Sequence, residues 1–260
     1  MTIALITGAS SGIGAAFARE LAARKMDLIL VARSQARLEQ LATELQNQFG
    51  IEATVLVQDL TLPQAANHIF EAVQARNLQV DLLINNAGFG DYGGFAQRPV
   101  DRKSDMVKLN VLALTELTHC FLAPMQTRKQ GAIINVASIA AFQPLPYLAV
   151  YAATKAFVLH FSEALWAENQ NTGIKILALC PGPTDTNFFA ESGMDQNPKM
   201  TEGSEIEDPV TVVKKTLKSL EKSHSHLVTG NLQTQLLVNA SRITPRDWLT
   251  KALISVFKIP

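Results

Sequence analysis

Two kinds of apolar pattern alternate along the chain. Short, mostly apolar runs at 3–6, 28–31, 53–57, 80–84, 132–138, 174–179 and 226–229 have strand length. Continuous rather than alternating hydrophobicity marks strands buried on both faces, as in a parallel sheet. Between these runs the apolar residues recur every three or four positions, the period of a helix with one buried face. Leu38, Leu41, Leu45 and Phe49 follow that period, with Ser34 placed to cap the helix and Gly50 to stop it. Further helices are predicted over 15–23, from Thr61 and Pro63, over 104–127 and 151–168, and from Asp208-Pro209, a cap followed by a first-turn proline. Strands alternating with helices predict an α/β fold, a doubly wound parallel sheet of about seven strands with helices on both faces.

Residues 1–230 read as one dinucleotide-binding and catalytic domain, with 231–260 a short helical extension packed on it or at an interface. Within the extension Trp248, Leu249, Ala252, Leu253, Val256 and Phe257 fall on one helical stripe edged by Arg246, Lys251 and Lys258. Two readings stand for it. The helix roofs the pocket or packs on a partner subunit, or residues 245–258 lie on an anionic membrane surface.

Composition narrows the class. The 260 residues are 47% hydrophobic and carry 23 basic and 23 acidic side chains. That suits a single globular domain, and the lack of basic excess argues against a nucleic-acid partner. The apolar start has no basic leader, and no unbroken apolar run reaches spanning length, so the expected compartment is the cytoplasm, with peripheral membrane contact as the variant. Cys120 and Cys180 are expected as reduced thiols, and the five histidines show no metal-ligand spacing, so no metal is expected.

The first candidate chemistry lies where strand one ends. Thr7-Gly8-Ala9-Ser10-Ser11-Gly12-Ile13-Gly14 joins a strand to a helix, and such a turn cradles a pyrophosphate against the helix N-terminus. Its context makes the sheet Rossmann-type. At the end of strand two, Ala32 leaves neutral the position where a carboxylate would hold the ribose of NAD, while Arg33 offers a guanidinium to a 2′-phosphate. NADP is therefore expected over NAD. Asp59 could reach the adenine edge or start a helix, and Asn85-Asn86-Ala87-Gly88 follows strand four.

Tyr151 and Lys155 are one helical turn apart, so hydroxyl and ammonium share a face, and the cation favours the phenolate. Ser138, thirteen residues before the tyrosine, sits at a strand end where its hydroxyl could bond the same substrate oxygen. Asn110 interrupts the apolar face of its helix, either satisfied by backbone carbonyls or serving a relay between the cofactor loop and the Tyr/Lys helix, and its placement favours the relay.

Together Thr7-Gly8-x-x-x-Gly12-x-Gly14, Asn85-Asn86-Ala87-Gly88, Asn110, Ser138, Tyr151-x-x-x-Lys155 and Pro181-Gly182-x-x-x-Thr186 resemble the compact one-domain branch of the short-chain dehydrogenase/reductase family. The resemblance implies an NADP-dependent oxidoreductase interconverting a carbonyl and a secondary alcohol. It implies Tyr151 as acid/base, Lys155 lowering its pKa and holding the nicotinamide ribose, and Ser138 orienting the substrate oxygen. Asn110 would hold the lysine through a water. Gly8, Ser10, Ser11, Gly12, Ile13, Gly14, Arg33, Asp59, Asn86, Ala87 and Gly88 would line the cofactor, with Pro181, Gly182, Thr184 and Thr186 flanking the nicotinamide. Family members pair helices like 104–127 and 151–168 in a homodimer or homotetramer.

The substrate wall is expected from 89–95, 142–147 (with Tyr147 facing the substrate) and 186–201, the first and third as mobile lids. Their aromatics and scarce charge favour an apolar or lipid-like carbonyl or alcohol. The alternatives are a non-catalytic NADP-binding redox sensor or scaffold, which the full Ser/Tyr/Lys/Asn set disfavours, and a nucleotide-sugar epimerase or dehydratase, which would carry a longer C-terminal domain.

Overall fold

A computed structural model describes residues 2–197 and 206–258. Seven strands, β1 (Ile3–Thr7), β2 (Asp27–Ala32), β3 (Ala53–Val57), β4 (Val80–Asn85), β5 (Gly131–Val136), β6 (Ile174–Cys180) and β7 (His226–Val228), form one sheet in the order β3-β2-β1-β4-β5-β6-β7. All neighbours are parallel. The strands are apolar throughout because both faces are covered. Ala4, Ile6, Leu28 and Leu30 pack with α1 (Gly12–Ala23) and α2 (Gln35–Phe49) on one side, while Leu5, Ile29 and Val31 pack with α3 (Ala65–Gln74) on the other. Gly50 ends α2 with φ 63°, the left-handed conformation that glycine adopts without a Cβ penalty.

Two helix boundaries differ from the expected ones. The helix predicted from Thr61 begins at Ala65, because Thr61 gives both its N–H (2.9 Å) and its hydroxyl (2.7 Å) to Asp59 Oδ1 in a local turn. The helix predicted from 104 starts earlier. α4 (Val100–Val107) runs through a π-helical segment, Lys108–Ala113, into α5 (Leu114–Arg128). That wider turn shifts the face of everything after it by about one residue. Counted as one helix, 100–128 is long and apolar enough to cross a membrane by length and composition, although charged residues interrupt it. Here Leu117, Phe121 and Met125 are buried against the sheet.

The chain continues through α6 (Ala149–Glu168), α7 (Phe188–Ser192), α8 (Pro209–Glu221), α9 (Leu232–Ile243) and α10 (Arg246–Phe257). β1 and β4 are neighbours from which the chain departs in opposite directions, and ligands of open α/β sheets bind at that reversal. A buried knot closes it. The Thr7 hydroxyl accepts from the N–H groups of Asn86 and Ala87 (both 3.0 Å) and donates to the Ile84 carbonyl (3.3 Å). The Asn86 amide returns two bonds, to the carbonyls of Thr7 (2.9 Å) and Gly8 (3.2 Å).

Thr7→Val keeps the shape and deletes the shared acceptor, leaving the Ala87 N–H unpaired while that of Asn86 keeps the Ile84 carbonyl (3.1 Å). We expect a loss of about 1–2 kcal/mol in urea unfolding, the cost of stranding one donor and losing the hydroxyl's own bond. A loss below about 0.5 kcal/mol, the range of an inert surface change, would contradict this account of the knot.

Candidate active site at the carboxyl edge of the sheet

Every strand end that carried a motif opens onto one cleft of about 810 Å³, running from Arg33 past Tyr151 to Phe257. At its first end Gly8 takes φ +65°, and a Cβ there would lie 2.8 Å from the Asn86 amide nitrogen. Ser11 stands at the N-cap of α1 without capping it through its side chain, so the first-turn N–H groups stay available to an anion. Of the residues expected around a dinucleotide, all line the cleft except Gly14. Its role is packing, since a Cβ would sit 2.2 Å from the Gly8 carbonyl oxygen. These glycines let the turn close against the Asn86-Ala87 loop and leave the helix N-terminus open, which fits a pyrophosphate.

Arg33 lines the same end, joined by Arg37, which the sequence reading passed over. Its place in the first turn of α2, just past the strand end that carries Arg33, was the available signal. Burial works to raise the Asp59 carboxyl, but the Thr61 bonds and the Arg33 charge outweigh it and hold the group below the usual range.

In the middle, Tyr151 and Lys155 stand one turn apart in α6, both buried. Lys155 Nζ donates to the Val136 carbonyl (2.8 Å) and lies 5.8 Å from the Tyr151 ring centroid. Burial pushes the Tyr151 phenol up to about 12, against the pull of a hydrogen bond with Ser138. Burial also brings Lys155 down to about 8. Burial drives Cys180 up to about 12, so this neighbour of Lys155 stays a neutral thiol at neutral pH. Desolvation is the larger influence on the phenol, and the Ser138 hydrogen bond opposes it.

Asn110 sits in the π-helical segment, just behind the cleft rather than on its wall. Its amide donates to the Phe89 carbonyl (3.0 Å) and the Thr154 hydroxyl (3.1 Å) and accepts from the Phe89 N–H (3.1 Å). A Cβ on Gly88 would lie 2.9 Å from Asn110 Oδ1 and 3.4 Å from Lys155 Nζ.

The far end is apolar. The Phe188 ring centroid lies 5.4 Å from that of Tyr151, and Leu145, Leu148, Phe189 and Met194 complete the wall. α10 roofs it with Leu253, Val256 and Phe257. Tyr92 fastens that roof, donating its hydroxyl to the Phe257 carbonyl (2.8 Å). The predicted single stripe divides, for Leu253 and Phe257 turn inward while Trp248 is 74% exposed.

The loop 89–95 is less apolar than expected. Asp91 is buried and paired with Arg98 and Arg102. The Tyr92 N–H also binds the Ser192 carbonyl, and the Gly93 N–H that of Tyr147, each at 2.9 Å. Tyr147 does not face the cleft. It holds φ 61° and packs edge-on to Tyr92, 6.4 Å between centroids. Of the expected third wall segment, 198–201 lies outside the described residues.

A family model for short chain dehydrogenases matches residues 2–197. The very-long-chain 3-oxoacyl-CoA reductase of Anas platyrhynchos is 36% identical over 186 residues, 68% of this chain and 58% of that protein. An inactive hydroxysteroid dehydrogenase-like protein 1 of Homo sapiens is 33% identical over 73% of this chain and 58% of its own length. The chain thus spans somewhat over half the length of these two relatives. A short-chain dehydrogenase from Sphingobium yanoikuyae, solved in complex with NADPH, superposes with a TM-score of 0.82 at 33% identity, over 98% of this chain and 96% of that one.

Proposed function

The chain belongs to the short-chain dehydrogenase/reductase family, and from that premise we propose that it is an NADP-dependent reductase of an apolar, lipid-like carbonyl. The observation that carries the proposal is the meeting of Ser138, Tyr151 and Lys155 in the cleft that also holds the glycine turn. NADP would be held by Gly8, Ser10, Ser11, Gly12 and Ile13 at the pyrophosphate, by Arg33 and Arg37 at the 2′-phosphate, and by Lys155, Pro181, Gly182, Thr184 and Thr186 toward the nicotinamide. Bound there, it supplies the hydride.

The protein's own groups handle the proton. Tyr151, a neutral phenol at neutral pH, gives its proton to the substrate oxygen as negative charge develops there. The Ser138 hydroxyl donates a hydrogen bond to the same oxygen and fixes its direction. The Lys155 ammonium stabilises the phenolate left behind, an interaction made strong by the buried surroundings. Asn110 acts at one remove, tying the α6 turn that carries Tyr151 to the loop at Phe89. The lipid-like substrate rests on the apolar wall and on the relatives named for very-long-chain 3-oxoacyl-CoA reduction.

A second reading, an NADP-binding sensor without turnover, draws on the relative named inactive. We expect Tyr151→Phe to lower turnover by roughly 10²–10⁴-fold while NADPH still binds, the contribution of a positioned proton donor. Lys155 carries its charge below about 8 and loses it as pH rises through that value, so the reduction rate should fall on the alkaline side there. Both are read in an NADPH-oxidation assay over a ketone panel. Wild-type protein that binds NADPH and oxidises it with no ketone favours the sensor.

Cofactor choice follows from the first end of the cleft. An arginine–phosphate contact is worth ~1.5–3 kcal/mol, roughly ten- to a hundredfold in affinity. NADPH should therefore bind tighter than NADH by that factor, and Ala32→Asp with Arg33→Ala should reverse the order in fluorescence titration. Equal wild-type affinities would rule out the arginine role.

The roof's outer surface suits a membrane. Trp248, Leu232, Leu236 and Ile254 are exposed, and Arg246, Lys251 and Lys258 supply charge toward anionic headgroups. Leu237 and Val256 are both exposed and part of the cleft wall, so an apolar substrate could enter from that side. The protein should float with vesicles containing anionic lipid, and Trp248→Glu with Leu236→Glu should abolish flotation. Wild type that stays in the aqueous fraction sinks the membrane reading.

A further inference from the structure

Ser138 begins a single 3₁₀ turn, Ile139–Phe142, and Gln143 leaves it in extended conformation with φ −152°. Gln143 lines the cleft together with Leu145 and Leu148. Gln143 is only 8% exposed, yet its Oε1 finds no hydrogen-bond partner. Five buried side-chain atoms among the described residues share that condition, on Asn85, Arg128, Gln143, Glu207 and Thr229, and Gln143 alone lines the cleft.

A primary amide in an apolar wall works against folding unless something binds it, and leucine of similar size would not. The amide also offers both acceptor and donor. Five steps along a turn rising about 2 Å per residue separate the backbones of Ser138 and Gln143 by about 10 Å, and both residues line one cleft. We infer that Gln143 is a specificity residue whose amide N–H donates to a second oxygen function of the substrate, carbonyl or hydroxyl, a few bonds from the carbonyl that is reduced. The substrate is then a bifunctional apolar molecule, and a simple hydrocarbon ketone is the poorer one. This rests on the reductase reading and adds to it the polar group that the pocket selects.

The test compares a 3-oxoalkanoate ethyl ester with the methyl ketone of matched chain length, using wild type and Gln143→Leu with NADPH. The wild type should favour the oxoester in kcat/KM. Gln143→Leu should lower that preference at least tenfold, mainly through KM, and Gln143→Asn should restore part of it. A site built around a hydrogen bond discriminates against a partner lacking it far more than an apolar site does. Thermal unfolding supplies the second readout. A stranded amide predicts a Tm for Gln143→Leu at or above that of wild type, whereas a structural glutamine predicts a lower one. An unchanged preference, or a lower Tm with both substrates reduced alike, overturns the inference. Wild type that reduces neither compound overturns the reductase reading itself, and this inference with it.

Discussion

The site depends on how closely two backbones approach at the point where the sheet reverses its winding. β1 and β4 end side by side, and the loops leaving them part at once. Thr7 and Asn86 satisfy the polar groups exposed by that parting, each through several bonds to the other's backbone. Gly8 and Gly14 permit the approach, since a Cβ at either would collide with the opposing loop or turn. The phosphate cradle is therefore a by-product of tight closure. The Asn86 amide nitrogen gives its two hydrogen bonds to the floor of the cleft that the residue lines.

Desolvation dominates the chemistry of the central cluster. It shifts Tyr151 upward and Lys155 downward, in each case toward the neutral form. The result at neutral pH is a phenol that keeps its proton beside an ammonium still largely charged. In the proposed reaction the lysine would serve the phenolate formed on proton transfer, when a nearby cation in a dry site is worth most. Ser138 and Val136 bind this pair to the end of β5, so the strand end, not a flexible loop, fixes their positions.

The substrate end is held by fewer and longer-range ties. Arg102 pairs with buried Asp91, donates to the Glu191 carbonyl at 2.8 Å and lies 5.0 Å over the Phe89 ring, joining the loop after β4 to α7. Tyr92 joins the same loop to α10. Walls and roof thus share anchors, and a change at one reaches the others through Asp91 and Tyr92. These contacts are the part of the molecule where fixed charge supports an otherwise apolar chamber.

The repeated alternation of buried strand and amphipathic helix determined the sheet and its layers, because a parallel sheet covered on both faces leaves few other patterns. Local spacing likewise determined the glycine turn, Arg33, Ser138, Tyr151 and Lys155, since each acts within one turn or at one strand end. What failed to read out was set by contacts distant in sequence. The π-helical segment that places Asn110 has no periodic signature of its own and follows from packing against Phe89 and Thr154. Tyr147 faces away from the cleft because Tyr92 and Gly93 hold its loop. Thr61 is the local exception, since Asp59 two residues before it takes both donors of a residue that reads as a helix cap. Only the folded chain shows that α10 turns Leu253 and Phe257 inward and Trp248 outward, because a tyrosine 165 residues away binds its last carbonyl. Local chemistry is written in neighbouring residues, whereas burial and the direction of a side chain are properties of the whole fold.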